Sequence, residues 1–245
     1  MKQQNTLKRC STELKAMFYR GNLRRLAKYY GTDKWGGHFY CQHYEQHFAS
    51  FRKQPITLLE IGIGGCADRL SGGNSLRMWR KCFSQGRIYG IDIEDKSCHN
   101  EKRIRTFQGD QSDAAFLRRV IQEIGTPDII IDDGSHLNEH VLKTFEILFP
   151  LLAKNGVYVV EDTQTAYWPA YGGSSDDLKN AATSMGMLKG LVDGLNHVEY
   201  IKPGFVPSYA DKHITSLHFY HNLAFVYKGI NDEPSNVIKH NMPPG

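Results

Sequence analysis

From residue 55 onward, short apolar runs alternate with longer amphipathic stretches. The runs at 56–61 (ITLLEI), 87–92 (RIYGID), 103–107 (RIRTF), 128–132 (DIIID) and 156–161 (GVYVVE) each have the length of a strand. Three or four branched apolar residues in a row, without polar alternation, mark a strand covered on both faces. The stretches at 74–83, 112–124 and 137–153 have helical periodicity. In the last, Leu137, Val141, Phe145, Leu148, Phe149 and Leu152 form one stripe. Strands alternating with helices of this length predict an α/β fold: a mostly parallel sheet, right-handed crossovers and helices on both faces. The tail departs from this rhythm. Segments 196–201 and 214–228 read as strands joined without an intervening helix, hence an antiparallel C-terminal edge.

Upstream, residues 1–30 are basic and moderately amphipathic and read as one or two helices broken near Gly21. A packed or oligomer-forming helix is favoured there over a membrane-surface or RNA-contacting one. Residues 30–38 (YGTDKWGGH) are glycine-rich around Trp35, which looks exposed, and loops of this kind serve as lids. The expected division is N-terminal helices and lid loop over 1–54, and one α/β domain over 55–245.

Composition narrows the class without choosing a function. The 245 residues are 40% apolar and 23% charged, ordinary for a globular protein, and a net charge of +4 without a basic block in the α/β region gives no nucleic-acid footprint. Five cysteines, an odd number without C-x-x-C spacing, suggest neither a disulfide framework nor a zinc ribbon. Reduced thiols, a polar start (MKQQNTLKR) and no apolar run near the roughly 20 residues of a membrane span set the expectation of a cytoplasmic protein.

Candidate chemistry gathers at the strand ends. The loop after the first strand, 59–65 (LEIGIGG), lets the backbone turn tightly against a ligand, and Asp92 at the end of the second strand can accept from ribose hydroxyls. With Cys66 and Ala67 the string also satisfies G-x-G-x-x-A, so a dinucleotide-binding oxidoreductase stays open. Glu60, two residues before the first glycine, suits a cofactor carrying an ammonium and a sulfonium, such as S-adenosylmethionine (SAM). It suits a pyrophosphate poorly. Asp110, Gln111 and Ser112 follow the third strand, where an acid or amide can reach an adenine amino group; capping of the next helix is an equal alternative for Asp110 and Ser112.

Asp133 lies just past strand four. Glu161 and Asp162 end strand five, and the interval from 133 to 161 fits one crossover helix, so the two strand ends should be neighbours about 5 Å apart. Three carboxylates together repel one another unless a cation joins them, and an all-oxygen set matches Mg²⁺. The alternative is that Asp132 or Asp133 caps a helix while Glu161 and Asp162 merely end a strand. His136, placed at the start of the next helix, is a suitable general base. A zinc site pairing it with His140 is disfavoured, because the nearby ligands are carboxylates. Tyr167, Trp168 and Tyr171 follow on a Pro/Gly loop, as a wall for a ring or as a staple to the core.

The motifs IDDGSH, VVED, TAYWPAYGG, YGTDKW, LEIGIGG, GGNSLRMW and GDQSD together resemble the metal-dependent sugar O-methyltransferases of the mycinamicin and tylosin macrolide pathways and of the tetracenomycin rhamnose type. The likeness covers about 30–228. It implies a Rossmann-like class I SAM-dependent methyltransferase over 55–245. It further implies Mg²⁺ on Asp133, Glu161 and Asp162, and His136 as the base. Glu60, Gly62, Gly64, Gly65, Cys66, Ser75, Asp92, Asp110, Gln111, Ser112 and Asp133 would line the SAM site. The implied acceptor is a deoxysugar or rhamnose-like hydroxyl of a glycoside, with a catechol-like phenol as the alternative. The macrolide enzymes carry a sizeable additional N-terminal domain where this chain has about 55 residues, so their acceptor and assembly do not transfer. A homo-oligomer is expected.

Overall fold

The computed structural model describes residues 16–242. Expectations that fall on 1–15, including those for Leu7, Cys10 and Leu14, lie outside the described residues. The described residues fall into two compact units, divided between Gly109 and Asp110.

In the first unit, helix α1 (Leu23–Tyr30) starts on Asn22, whose side chain accepts from Arg25 N, and stops at Gly31 in the left-handed region, φ 73°. It buries Leu23, Leu26 and Ala27. Helix α2 (Cys41–His47) follows, then β1 (Thr57–Ile61), α3 (Asn74–Cys82), β2 (Arg87–Asp92) and β3 (Ile104–Gln108). The three strands are parallel in the order β3-β2-β1, with Leu58 paired to Ile88 and Ile88 to Ile104. All five residues of β1 are buried, as an unalternating run requires. Tyr44 and Phe48 from α2 and its end meet Trp79 and Phe83 from α3 and its end; the Tyr44 and Trp79 ring centroids are 5.0 Å apart.

The second unit contains α4 (Ala114–Ile124), β4 (Ile129–Asp132), α5 (Asn138–Leu148), β5 (Val157–Glu161), α6 (Ser184–Leu195), α7 (Tyr209–His213), β6 (Ile214–Tyr220) and β7 (Leu223–Lys228). Its strand order is β4-β5-β7-β6, with β4 and β5 parallel and β7 antiparallel to both β5 and β6. The expected neighbouring of strands four and five and the antiparallel C-terminal edge are therefore present.

The structure departs from the sequence reading at three places, each for a physical reason. Segment 196–201 forms no strand: its carbonyls at His197 and Tyr200 accept from the Asn241 side-chain amide, and His197–Glu199 is a 3-10 turn. Helix α6 was not anticipated, because Gly186, Gly190 and Gly194 within it are poor helix formers. Two of those glycines are close-approach positions, since a Cβ would strike Asn180 O at Gly186 and the Asp211 carboxylate at Gly194. Helix α5 is shorter than its apolar stripe. After Leu148 the chain tightens into a 3-10 turn at Phe149–Leu151, and the ammonium of Lys228 takes the carbonyls of Phe149, Pro150 and Leu152.

Candidate active site

At the ends of β4 and β5, Asp133, His136 and Asp162 each present a ligating atom, and these atoms all lie within 4.8 Å of one another. His136 Nε2 sits 3.8 Å from Asp133 Oδ1 and 3.7 Å from Asp162 Oδ2. The sheet register brings the ends together, since parallel pairing runs from Ile129–Val157 to Asp132–Val160. His136 lies in the turn before α5, two residues short of the helix, rather than at its start. It has φ 58° and Asp162 has φ 51°. A non-glycine residue in this region costs on the order of 1–3 kcal/mol and persists where surroundings over-determine it. Two of the three convergent residues thus occupy this uncommon region, which aspartate and histidine enter more readily than most side chains. Glu161 ends β5 with its side chain buried, 3% exposed. His140 is turned to Ser135 Oγ at 3.0 Å and does not enter the cluster, which removes the His136–His140 zinc pair.

Two buried side-chain amides brace the segments carrying these groups. Gln111 donates through Nε2 to Asp132 Oδ1 and Thr144 Oγ1, both at 3.2 Å, and accepts Ser135 N–H on Oε1 at 2.7 Å. Asn138 donates to Thr165 O at 3.1 Å and Tyr171 O at 2.8 Å, and accepts Ser184 N–H at 2.7 Å. It thereby fixes the aromatic loop to the start of α5. Within that loop Trp168 and Tyr171 form a tilted ring pair, and Trp168 is about half exposed. Asp132, unassigned by sequence, is buried and accepts from Tyr158 Oη and Gln111 Nε2, both at 3.2 Å. Burial pushes its carboxyl up to about 7 against the pull of the Tyr158, Gln111 and Gly134 hydrogen bonds, and the neighbouring Asp133 charge adds to the rise. Asp110 accepts Ser112 N–H at 2.7 Å, which holds its carboxyl below the usual range. The cap of α4 is Asp113, so neither Asp110 nor Ser112 is the helix cap.

In the first unit the glycine loop is folded back on itself. Gly62, Gly64 and Gly65 all have positive φ, and a Cβ at Gly65 or Gly72 would strike the opposite limb, Ser71 O and Gly64 O respectively. Helix α3 begins only at Asn74. A G-x-G-x-x-A fingerprint needs its helix to open within the motif, so the dinucleotide alternative loses its geometric basis. Asp92 ties the end of β2 to this loop, accepting Ile63 N–H at 3.2 Å and Glu94 N–H at 3.0 Å. Cys66 is exposed at the loop's tip, with φ 45°.

Glu60 and Ser75 are bonded to each other at 2.8 Å, and Glu60 lies 3.3 Å from the ammonium of Lys34, with side chains 0% and 1% exposed. Lys34 belongs to the YGTDKWGGH segment, so that segment is pinned to β1 at its centre. Trp35 in the same segment is partly covered, with the Arg24 guanidinium 4.7 Å from its ring centroid. A second buried ammonium, Lys96, donates to Cys66 O, Asp68 O and Ser71 O at 2.7–3.2 Å and holds the far limb of the glycine loop. Sequence reasoning missed Lys34, Lys96 and Asn138, and gave Gln111 only a ligand-facing role. Lone lysines and amides have no periodic signature.

No protein-family model matches the chain. Among curated proteins it is 50% identical over 214 residues to the demethylmacrocin O-methyltransferase of Streptomyces fradiae, covering 86% of this chain and 54% of that protein. It is 52% identical over 210 residues to the 8-demethyl-8-alpha-L-rhamnosyl tetracenomycin-C 2'-O-methyltransferase of Streptomyces olivaceus, covering 85% and 55%. Among solved structures, the MycE methyltransferase of the mycinamycin biosynthetic pathway in complex with Mg and SAH superposes with a TM-score of 0.85 at 49% identity, covering 87% of this chain and 56% of that one. The chain spans about half the length of the curated relatives it matches. No helix among the described residues is long and apolar enough to cross a membrane. Half-identical to these proteins and folded as MycE is, the chain is a class I SAM-dependent methyltransferase in fold and a relative of the sugar O-methyltransferases of macrolide and tetracenomycin pathways.

Proposed function

We propose that the chain is a SAM- and Mg²⁺-dependent O-methyltransferase that methylates a sugar hydroxyl of a glycoside. The observation that carries the proposal is the convergence of Asp133, His136 and Asp162 on one point at the ends of adjacent parallel strands. The carboxylates of Asp133 and Asp162, with Glu161 ending the same strand, are oxygen donors of the kind a hard divalent ion takes, and the imidazole beside them is left for proton transfer. Asp133, Glu161 and Asp162 would hold Mg²⁺, which when bound acidifies a chelated hydroxyl. His136, its Nε2 3.8 Å from Asp133 and 3.7 Å from Asp162, would be the base that takes the acceptor hydroxyl's proton, and the two carboxylates would stabilise the imidazolium. Trp168 and Tyr171 offer an apolar wall for the sugar face. In the first unit, the loop carrying Gly62, Gly64, Gly65 and Cys66, with Asp92 beneath it, receives the cofactor. Glu60 and Ser75 serve it as support from the strand side.

The sugar acceptor rests on the relatives' acceptors, a rhamnosyl tetracenomycin among them. A homo-oligomer in the cytoplasm and a functional division at residues 54/55 complete the proposal. The test is methyl transfer from SAM to a rhamnosyl glycoside and, in parallel, to a catechol, each with Mg²⁺ and with EDTA. Product from the glycoside that vanishes in EDTA and returns with Mg²⁺ is expected. Full activity in chelator, or turnover of the catechol alone, would refute it.

A further inference from the structure

We infer that Gln111 is a positioning residue for the metal and proton-transfer turn, acting through the backbone of Ser135 rather than by touching the cofactor. The inference rests on the Mg²⁺-dependent reading of Asp133, His136 and Asp162. Three observations carry it. The Gln111 side chain is 7% exposed, and both donor directions of its amide are committed, to Asp132 and Thr144. Its Oε1 receives the Ser135 N–H at 2.7 Å, the shortest of the three contacts, and Ser135 stands between Asp133 and His136. The main chain at Gln111 is held as well: its carbonyl lies 3.1 Å from the Thr144 hydroxyl, which also reaches His140 O at 2.7 Å.

The orientation of the amide is dictated chemically. An oxygen is needed opposite the Ser135 N–H and a nitrogen opposite the Asp132 carboxyl, so only glutamine with this facing satisfies both neighbours. The consequence falls on His136. Its left-handed φ of 58° is uncommon for any residue with a side chain, although histidine enters that region more readily than most. The Gln111 bond to Ser135 N–H one residue earlier helps to hold the turn in that path, with Leu137 N–H on Ser135 Oγ at 3.3 Å beside it. Without it the turn can relax toward ordinary φ, and His136 Nε2 then leaves its place beside Asp133 and Asp162. Groups that orient metal ligands without touching the metal typically contribute about 10- to 100-fold to affinity or activity. A glutamine reaching adenine would commit its amide to the ligand, and this one has no donor left.

The experiment measures two affinities on the whole chain: Mn²⁺ by electron paramagnetic resonance as a probe of the divalent site, and S-adenosylhomocysteine by calorimetry. In Gln111→Met, which keeps the length and loses the amide, Mn²⁺ affinity should fall about tenfold or more while S-adenosylhomocysteine affinity changes by less than about twofold. The reverse pattern, cofactor affinity lost and Mn²⁺ affinity kept, overturns the inference, as does no change in either. Thr144→Val removes one partner of the amide at smaller structural risk and decides the matter should Gln111→Met fail to fold. About a threefold loss of Mn²⁺ affinity is expected from it, by the scale of one neutral hydrogen bond, and none would overturn the inference. Wild-type protein that binds neither probe would instead defeat the methyltransferase reading itself.

Discussion

Replacing Lys34 by methionine isolates the buried pair that joins the YGTDKWGGH segment to β1. Lys34 Nζ and Glu60 Oε1 are 3.3 Å apart, and their side chains are 1% and 0% exposed. Removing the ammonium leaves the Glu60 carboxylate in the interior with the Ser75 hydroxyl on its other oxygen, at 2.8 Å. Breaking a buried ion pair on one side costs about 3–5 kcal/mol, because a charge is stranded away from water. At about 2–4 °C per kcal/mol for a chain of this size, the melting temperature should fall by roughly 10 °C. Lys34→Met with Glu60→Gln strands no charge. The double variant should therefore recover most of the loss, giving a coupling energy of about 2–3 kcal/mol in a double-mutant cycle read by urea unfolding. A Lys34→Met loss below about 1 kcal/mol, with additive effects in the double variant, would mean that the pair is hydrated and does not anchor the segment.

The remaining predictions concern the site and the thiols. His136→Asn tolerates the left-handed backbone better than alanine does, so it tests the imidazole with little added strain; turnover should drop by about 10²–10⁴ with S-adenosylhomocysteine binding unchanged, and an unaltered rate would remove His136 from proton transfer. In EDTA, stability should decline as pH rises from about 4 to about 7. The Asp132 carboxyl, raised to about 7 in the folded state, is protonated there and must ionise above it, whereas the unfolded chain has already ionised. Asp132→Asn should flatten that slope, and an unchanged slope counts against the assignment. Among the described cysteines, Cys66 and Cys98 are exposed and should react with a disulfide reagent in the native state. Cys41 and Cys82 are buried, Cys82 with its thiol pushed up to about 12, and should react only on unfolding. Saturating S-adenosylhomocysteine should slow Cys66 and spare Cys98; equal rates would place the cofactor away from the loop tip.

What was legible in the sequence is what repeats or alternates. Strands β1 to β5 announced themselves because burial on both faces removes polar alternation, and β1, β4 and β5 are buried at every residue. The spacing of Asp133 from Asp162 was legible for a related reason, since one crossover between adjacent strands has a narrow range of lengths. Helix α6 was not legible, because its glycines answer to Asn180 and Asp211, neighbours visible only in three dimensions. Gln111 was placed on its loop, but the commitment of its amide to Asp132, Thr144 and Ser135 was not legible, because a buried amide and a ligand-facing amide are the same letter. Lys34 and Lys96 carried no signal, since a lysine is ordinarily solvated, yet both are 1% exposed. One is neutralised by Glu60, and the other is wrapped by three carbonyls.

The two strand ends share a design that the sequence displays but does not explain. β4 ends in Asp132 followed by Asp133, and β5 in Glu161 followed by Asp162. In each pair the inner acid is buried and the outer one is partly exposed. The inner acid is the last residue of a strand buried at every position and the outer one lies in the turn beyond it, so an acidic doublet divides one carboxylate to the frame and one to the crevice. At β4 the division is complete, since Asp132 is committed to Tyr158 and Gln111 while Asp133 faces His136. At β5 the resemblance assigns Glu161 to the ion along with Asp162, whereas strict symmetry would make it the counterpart of Asp132. Mn²⁺ affinities of Asp133→Asn, Glu161→Gln and Asp162→Asn separate the two. Losses of about tenfold or more in all three are expected if each carboxylate reaches the ion. A Glu161→Gln protein that binds Mn²⁺ as wild type does would remove Glu161 from the ligand set and make it the counterpart of Asp132.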